Sequence, residues 1–215
     1  MADFIVAPDA LLFIAPGCPH CPAILHALSE LVKESSIGKL TVVNAAVHPE
    51  LAAEKGVRTA PWLRLGSFVL TGVYSADELG QWAKWAINSD GDVHYVEHLL
   101  KQGGFRQAAL FIAEDTRRLK QLLAVVADPA ANLEVRLGAS ALLESYSGKE
   151  ALQNLLPDLA TLARHPDHRV RADVCHLLGL TGSAAARASL AACASDENQE
   201  VREIAQEALE KLEGA

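Results

Sequence analysis

The sequence predicts two domains of different fold class, an α/β domain over residues 1–88 and an all-α domain of stacked helix pairs over residues 92–215. Two observations lead to this division. Short apolar runs alternate with amphipathic stretches up to about residue 90, whereas only Ala- and Leu-rich helical patterns follow. A polar, glycine-containing segment at residues 88–92 lies at the change. The 215 residues, 50% of them hydrophobic, are enough to build two cores.

The first domain begins with a buried strand, because residues 10–15 form an apolar run that ends at Pro16-Gly17. Apolar residues at helical spacing follow from Ile24 to Val32, and the region of Gly38 ends that helix. The pattern then predicts a strand at 40–43, a helix at 49–55, a hairpin of 62–65 and 68–71, and a helix opened by a capping box of Ser75 and Glu78. This order, β-α-β-α-β-β-α, predicts a small mixed sheet with helices on its faces.

A repeated pattern organises the second domain. A capping residue stands three positions before a Val-Arg pair in three places, at spacings of 35 and 31 residues: Asn132 with Val135-Arg136, Asp167 with Val170-Arg171 and Asn198 with Val201-Arg202. With second helices at 149–163 and 183–194, this period predicts a stacked α-solenoid. The pattern, most complete from Val170 to Gly182, resembles the short HEAT-like repeats of phycobilin lyase-like proteins. That resemblance implies a surface that binds another protein.

Charge and cysteine content argue against several classes of protein. The net charge is −8, and residues 1–90 and 91–215 are both acidic, whereas binders of nucleic acid or anionic membranes need an excess of basic residues. No apolar run approaches the ~18–20 residues that span a bilayer. Residues 1–6 lack the basic start of a signal peptide, and four cysteines are too few for a disulfide-stapled secreted domain. We therefore expect a cytoplasmic protein with no nucleic-acid or membrane partner.

The motif Cys18-Pro19-His20-Cys21 follows the first predicted strand and opens the first predicted helix, which places Cys18 at the helix N-terminus. Free N–H groups at a helix start favour an anion, so we expect the pKa of the Cys18 thiol to lie below the ~8.5 of free cysteine. Cys18 is then the attacking thiol in disulfide exchange, and Cys21, one turn on, resolves the mixed disulfide. Pro19 stiffens the turn and His20 adds positive charge beside the thiolate.

The motif and its surroundings resemble the thioredoxin superfamily over residues 8–88. The segments 48–52 (HPELA) and 56–62 (GVRTAPW) are similar to those that lead to the family's cis proline. The resemblance implies a protein disulfide oxidoreductase that needs no cofactor beyond a redox-active Cys18–Cys21 disulfide. It implies a cis Pro61, with Ala60 offering backbone groups to a substrate strand. Gly72 and Val73 are candidates for the border of the substrate groove. Trp62 is expected mainly in the core, and its position directly after the expected cis proline makes the groove border the alternative.

Some positions depart from the thioredoxin pattern. Leu12 stands six residues before Cys18, where thioredoxins have a buried acid, and Gly17 stands where they have tryptophan. The His-containing dipeptide predicts a less reducing couple than that of a plain thioredoxin. The expected partners are a protein dithiol or disulfide client docked on the helical repeats, and a reductase or peroxidase. The alternative is a non-catalytic or redox-sensing interaction scaffold.

Three other interpretations rest on short patterns. A CxxC pair also occurs in zinc sites, but a closed site needs four ligands and the sequence has no second CxxC. Residues 94–98 (HYVEH) spell a zinc-protease pattern, but without its large enzyme context an exposed helix start is the simpler interpretation. Cys175 and Cys193 are expected to be packing residues, with Cys175 partly exposed. A regulatory disulfide between them is the alternative.

Overall fold

A computed structural model describes residues 7–88 and 90–213 of the chain. The chain divides into two compact units, one up to Tyr95 and one from Val96 onward. Residues 1–6, on which the signal-peptide prediction depends, lie outside the described residues. No helix in the described part of the chain is long and apolar enough to cross a membrane.

The first unit contains the predicted mixed sheet with its helices, so the α/β prediction is confirmed. The strands are β1 (Asp9–Ile14), β2 (Lys39–Asn44), β3 (Trp62–Leu65) and β4 (Phe68–Thr71). The helices are α1 (Cys21–Lys33), α2 (Pro49–Glu54) and α3 (Ala76–Trp85). The sheet order is β2-β1-β3-β4, with β1 parallel to β2 and antiparallel to β3, and with β3 antiparallel to β4. The capping box at Ser75 opens α3 as predicted.

The strand register brings four loops to one edge of this sheet. Ile14 pairs with Asn44, so β1 and β2 end together. Phe13 pairs with Trp62, the first residue of β3, and Trp62 pairs in turn with Thr71, the last residue of β4. The segments after β1, after β2, before β3 and after β4 therefore lie at the same edge. We call it the CPHC edge, because the segment after β1 carries the CPHC motif.

The outer edge of β4 is contacted by Tyr95, a residue that lies beyond the predicted domain limit at residue 88. The hydroxyl of Tyr95 accepts the N–H of Val69 and donates to its carbonyl, both at 3.0 Å, along the outer edge of β4. Its ring stacks on Phe68 with 4.7 Å between the ring centroids. Tyr95 lies in α4 (Gly91–Lys101), so this helix spans the division between the two units. The Tyr95 hydroxyl thus satisfies the N–H and the carbonyl of Val69, which an uncovered edge strand would leave without a partner in the sheet.

The second unit is helical throughout its described residues. Its helices are α5 (Phe105–Glu114), α6 (Leu119–Val126), α7 (Leu133–Glu144), α8 (Glu150–Gln153), α9 (Leu156–Leu162), α10 (His168–Leu180), α11 (Arg187–Cys193) and α12 (Gln199–Glu213). The three predicted caps form: the side chains of Asn132, Asp167 and Asn198 accept backbone N–H groups at the starts of α7, α10 and α12. The valines of the three Val-Arg pairs are fully buried.

The arginines of the Val-Arg pairs explain why the second residue of the pattern repeats. Arg136 in α7 bonds Asp173 in α10 at 2.7 Å, and Arg171 in α10 bonds Asp196 at 2.8 Å. Each of these two arginines therefore links its helix to the following part of the solenoid. Arg202 instead donates to the backbone carbonyl of Asp196, at 2.8 Å.

The second helices of the repeats differ from their prediction. The continuous helix predicted over 149–163 is wrong, because the chain forms α8 and α9 with a break at residues 154–155. Pro157 explains the break, since it has no N–H for the carbonyl of Gln153 and its ring would collide with that carbonyl in a continuous helix. The helix predicted from residue 183 begins as a 3-10 turn over Ala184–Ala186 before α11.

Candidate functional site

A tight turn carries the chain from β1 to the first cysteine. The N–H of Cys18 donates to the carbonyl of Ala15 at 3.2 Å, which closes a four-residue turn with Pro16 and Gly17 at its centre. Proline suits the second position of such a turn, and Gly17 takes a φ of +76° at the third, a value that favours glycine. The Pro16-Gly17 pair therefore positions Cys18 at the CPHC edge.

The two cysteines of the motif form a disulfide directly before and within the first turn of α1. Helix α1 begins at Cys21 with His20 as its N-cap, so Cys18 precedes the helix instead of opening it as predicted. The expected contact with the helix start still forms, because the N–H of Cys21 donates to Cys18 Sγ at 3.1 Å. Cys18 is half-buried and Cys21 is buried. The sulfur of Cys18 is thus the more accessible of the pair.

Pro19 and His20 are both exposed on the loop between the two cysteines. The carbonyl of His20 accepts the N–H of Ile24 at 3.3 Å, which fixes the first turn of α1. The imidazole makes no capping hydrogen bond and faces solvent beside the disulfide. The predicted role of His20, which is to add positive charge beside the Cys18 thiolate, stays a prediction.

The segment before β3 lies at the CPHC edge next to the end of β1, because β3 pairs with β1. The Ala60–Pro61 peptide bond is cis, with Ala60 half-buried and Pro61 buried. The Trp62 side chain, whose alternative interpretation is the border of the substrate groove, belongs to the core as the main interpretation predicts. It is only 4% exposed and packs edge-on against Phe13 with 5.5 Å between the ring centroids. Because Trp62 pairs with Phe13 in the β1–β3 register, both side chains lie on the same packed face of the sheet.

Two exposed valines lie at the CPHC edge. Val73, in the predicted substrate-binding pair Gly72-Val73, is 61% exposed, and Gly72 precedes it with a φ of +108°. Val47 is 65% exposed in the turn between β2 and α2, where its N–H donates to the carbonyl of Asn44 at 3.1 Å. Sequence reasoning missed Val47. The sequence feature that could have indicated Val47 is an apolar residue in the turn after β2, the strand that ends beside β1.

Leu12, which stands where thioredoxins have a buried acid, is also buried in this structure. Its side chain is fully buried in β1, the central strand of the sheet. An apolar side chain thus occupies the position where thioredoxins bury a carboxyl group.

The zinc interpretations gain no support from the structure. Among residues 7–88 and 90–213, no group of three or more His, Cys, Asp or Glu side chains is placed to hold a metal ion. His94 stacks on Trp85, with 4.3 Å between the ring centroids, and Glu97 pairs with Lys101 at 3.2 Å. Burial, with a smaller effect of Lys101, lowers the pKa of His98. These residues start a half-buried helix, not the exposed one that was predicted.

Comparison with known families agrees with both resemblances. Residues 11–84 match the family model of the thioredoxin domain, and residues 116–210 match that of HEAT repeats. The chain thus contains a thioredoxin domain over residues 11–84, followed by HEAT repeats over residues 116–210. No curated protein matches the chain significantly. The thioredoxin-domain match covers the whole CPHC edge. The HEAT match covers the starts of all three Val-Arg helices, and we call the second unit the HEAT domain.

Phe105-Arg106, which precedes Val135-Arg136 by 30 residues, lies outside the HEAT match. Phe105 is 42% exposed, whereas the valines of the Val-Arg pairs are buried. The packing of this pair therefore differs from that of the three Val-Arg pairs.

Proposed function

We propose that the protein is a thiol–disulfide oxidoreductase that exchanges electrons with protein dithiols and disulfides through Cys18 and Cys21, while the HEAT domain binds the protein partner. The observation that carries the proposal is the Cys18–Cys21 disulfide at the CPHC edge, with the first N–H of α1 donating to Cys18 Sγ. The disulfide is the redox group, and the proposed reaction uses no further cofactor.

In the reducing direction, the Cys18 thiolate attacks one sulfur of a client disulfide. The Cys18–client bond forms, the client S–S bond breaks, and the second client sulfur leaves as a thiolate. The Cys21 thiolate then attacks Cys18 Sγ, which closes the Cys18–Cys21 disulfide and releases the first client sulfur. The N–H of Cys21 stabilises the Cys18 thiolate before the attack, since a backbone N–H is a good donor to an anionic sulfur.

In the oxidising direction, a client thiolate attacks the Cys18–Cys21 disulfide at Cys18, the more accessible sulfur. Cys21 leaves as a thiolate, and a second client thiol then displaces Cys18 to give the client disulfide. A separate protein must restore the starting state. After the reducing direction, a reductase would supply electrons to the Cys18–Cys21 disulfide. After the oxidising direction, a peroxidase would receive electrons from the Cys18–Cys21 dithiol.

The client is expected to contact the segments on both sides of the Cys18 loop. Ala60 offers backbone groups next to β3, and the exposed Val47 and Val73 provide apolar contact at the same edge. HEAT repeats commonly present surfaces to other proteins, so the second unit fits the task of holding the rest of the client. The free thiols of Cys175 and Cys193 fit the reducing cytoplasm that we propose as the compartment.

The test uses a Cys21→Ser variant, because loss of the resolving thiol leaves the mixed disulfide intact. In a Cys175→Ser, Cys193→Ser background, this variant should capture a client as a covalent adduct that dithiothreitol releases. The matched Cys18→Ser variant should capture nothing and should lose turnover of a model protein disulfide such as that of insulin. If Cys18→Ser turns over insulin as fast as the parent, the proposal fails. If the parent has no exchange activity and Cys21→Ser traps no protein, the non-catalytic scaffold replaces it.

A further inference from the structure

A second pair of sulfurs lies inside the HEAT domain. Cys175 in α10 and Cys193 at the end of α11 are free thiols, 0% and 4% exposed. The prediction that Cys175 is partly exposed is wrong. Seven residues of α10 are buried, so this helix is covered on more than one face: Val170, Arg171, Ala172, Val174, Cys175, Leu177 and Leu178. A helix in the middle of a stack has little surface left for water.

The two thiols are joined in a short chain of hydrogen bonds. The thiol of Cys193 donates to the carbonyl of Ala163 at 3.9 Å, and a hydrogen bond between Cys175 and Cys193 is the main influence on the pKa of both thiols. The two sulfurs are therefore neighbours without being bonded. Forming a disulfide requires the two sulfurs to approach to about 2.05 Å with a Cβ–S–S–Cβ dihedral of about 90°.

This arrangement makes the two sulfurs chemically different. The hydrogen bond from Cys175 lowers the pKa of Cys193, opposed by burial and by the Asp196 carboxylate, while the Arg171 guanidinium adds to the lowering. The same hydrogen bond, followed by burial, raises the pKa of Cys175. Cys193 is thus the thiol that ionises first, and Cys175 holds its proton.

Only one of the two cysteines lines a cavity. Cys193 lines an open cavity of about 630 Å³ between α9, α10 and α11, together with Arg164, His165, Arg171 and Asp196. Cys175 does not line this cavity. A small molecule that enters the cavity therefore meets the Cys193 side of the pair and not Cys175.

We propose that Cys193 and Cys175 form a peroxide-sensitive dithiol, in which Cys193 reacts first with hydrogen peroxide in the cavity and Cys175 closes the disulfide. The Cys193 sulfur attacks one peroxide oxygen, the O–O bond breaks, and a sulfenic acid and one water are produced. The Cys175 sulfur then attacks the Cys193 sulfur, the S–O bond breaks, and a second water leaves. Two thiols and one peroxide thus give one disulfide and two waters, with two electrons passing from sulfur to peroxide. Exchange with a dithiol reverses the reaction.

The test uses a Cys18→Ser, Cys21→Ser variant, in which Cys175 and Cys193 are the remaining cysteines. The folded protein is treated with hydrogen peroxide, quenched, denatured and alkylated, and its intact mass is measured. We expect loss of both alkylation sites and a chain lighter by two hydrogens, which dithiothreitol reverses. Retention of two alkylated thiols would overturn the proposal, as would a disulfide found only between two chains. Because the CPHC pair is absent, this result is independent of the proposed oxidoreductase function.

Two matched single variants of that protein separate the roles of the sulfurs. Adding Cys175→Ser should stop the reaction at a Cys193 sulfenic acid, which dimedone captures. Adding Cys193→Ser should leave a Cys175 thiol that peroxide oxidises at least about tenfold more slowly, because that sulfur is buried and holds its proton. Equal rates for the two variants would contradict the assigned order. If either serine variant fails to fold, the mass measurement on the parent still decides whether the disulfide forms.

Discussion

Replacing Arg171 by methionine is the perturbation whose effect follows most directly from the structure. Arg171 is 8% exposed, and its Nε and Nη2 donate to the two carboxylate oxygens of Asp196, each at 2.8 Å. Its Nη1 donates to the carbonyls of His165 and Pro166, at 2.9 and 3.0 Å. Methionine keeps an apolar stem of similar length but removes all of these donors. The Asp196 carboxylate then keeps the N–H of Asn198 at 2.9 Å and loses its cation.

The expected cost is large because the charge left behind is buried. Removing one partner of a buried ion pair costs about 3–5 kcal/mol of unfolding free energy. Asp196 retains one backbone donor, so we expect a loss of about 3 kcal/mol, towards the lower end of that range. Arg171 lowers the pKa of Asp196 in the folded state, so this stabilisation is present at neutral pH and is lost as the pH falls through the folded pKa. The difference between parent and variant should therefore shrink on acidification.

Two spectroscopic signals separate the effect by domain. All three tryptophans, Trp62, Trp82 and Trp85, lie in the first unit, so their fluorescence follows the thioredoxin domain during urea unfolding. Far-UV circular dichroism follows mainly the HEAT helices, and the loss should occur there. The matched control is Arg169→Met on the same helix, whose side chain is 54% exposed and pairs with Asp167. Equal losses for the Arg171 and Arg169 variants would refute the argument from burial.

Four other changes have defined outcomes. Tyr95→Phe removes the hydroxyl that satisfies the outer edge of β4 and should cost about 1–3 kcal/mol of unfolding free energy, measured by tryptophan fluorescence. Gly17→Ala meets no atom within 4 Å, so its cost of about 1–2 kcal/mol in the same assay should come from the φ of +76° alone. Val73→Asp should raise the KM for a protein disulfide and leave exchange with a small disulfide unchanged, since only the larger client reaches this residue. Arg117 lowers the pKa of Asp115 from 3.8 to about 2, so the stability of the HEAT domain should fall between these pH values, and Asp115→Asn should remove that part of the pH dependence of thermal unfolding.

The elements with a local cause were predictable from the sequence. Gly66-Ser67 between two β-rich runs predicted the hairpin of β3 and β4 at its observed bounds. The three caps of the HEAT helices were equally visible, because a capping side chain needs only the N–H groups two or three residues further on. Pro157 also signalled the break between α8 and α9, although the apolar period around it favoured one continuous helix.

The features that depend on packing between distant residues were not predictable. The burial of Cys175 follows from helices on several sides of α10, and a single amphipathic stripe does not reveal that number. Its hydrogen bond to Cys193 joins two separate helices, and the period of one helix does not predict which residues of another helix it contacts. Likewise, nothing near Tyr95 in the sequence indicates that its hydroxyl bonds to Val69, a residue on the other side of the polar segment 88–92.

The strand register that buries Trp62 also sets the position of the candidate site. Trp62 faces Phe13 across the β1–β3 pair, and this pairing places Pro61 beside the end of β1. A slip of one residue in register would turn the Trp62 side chain to the other face of the sheet and would move Pro61 along the edge. The core therefore fixes the register, and the register brings together segments that lie 43 residues apart between Cys18 and Pro61. Trp62 matters to the site through the strand it holds in place and not as a surface for the client.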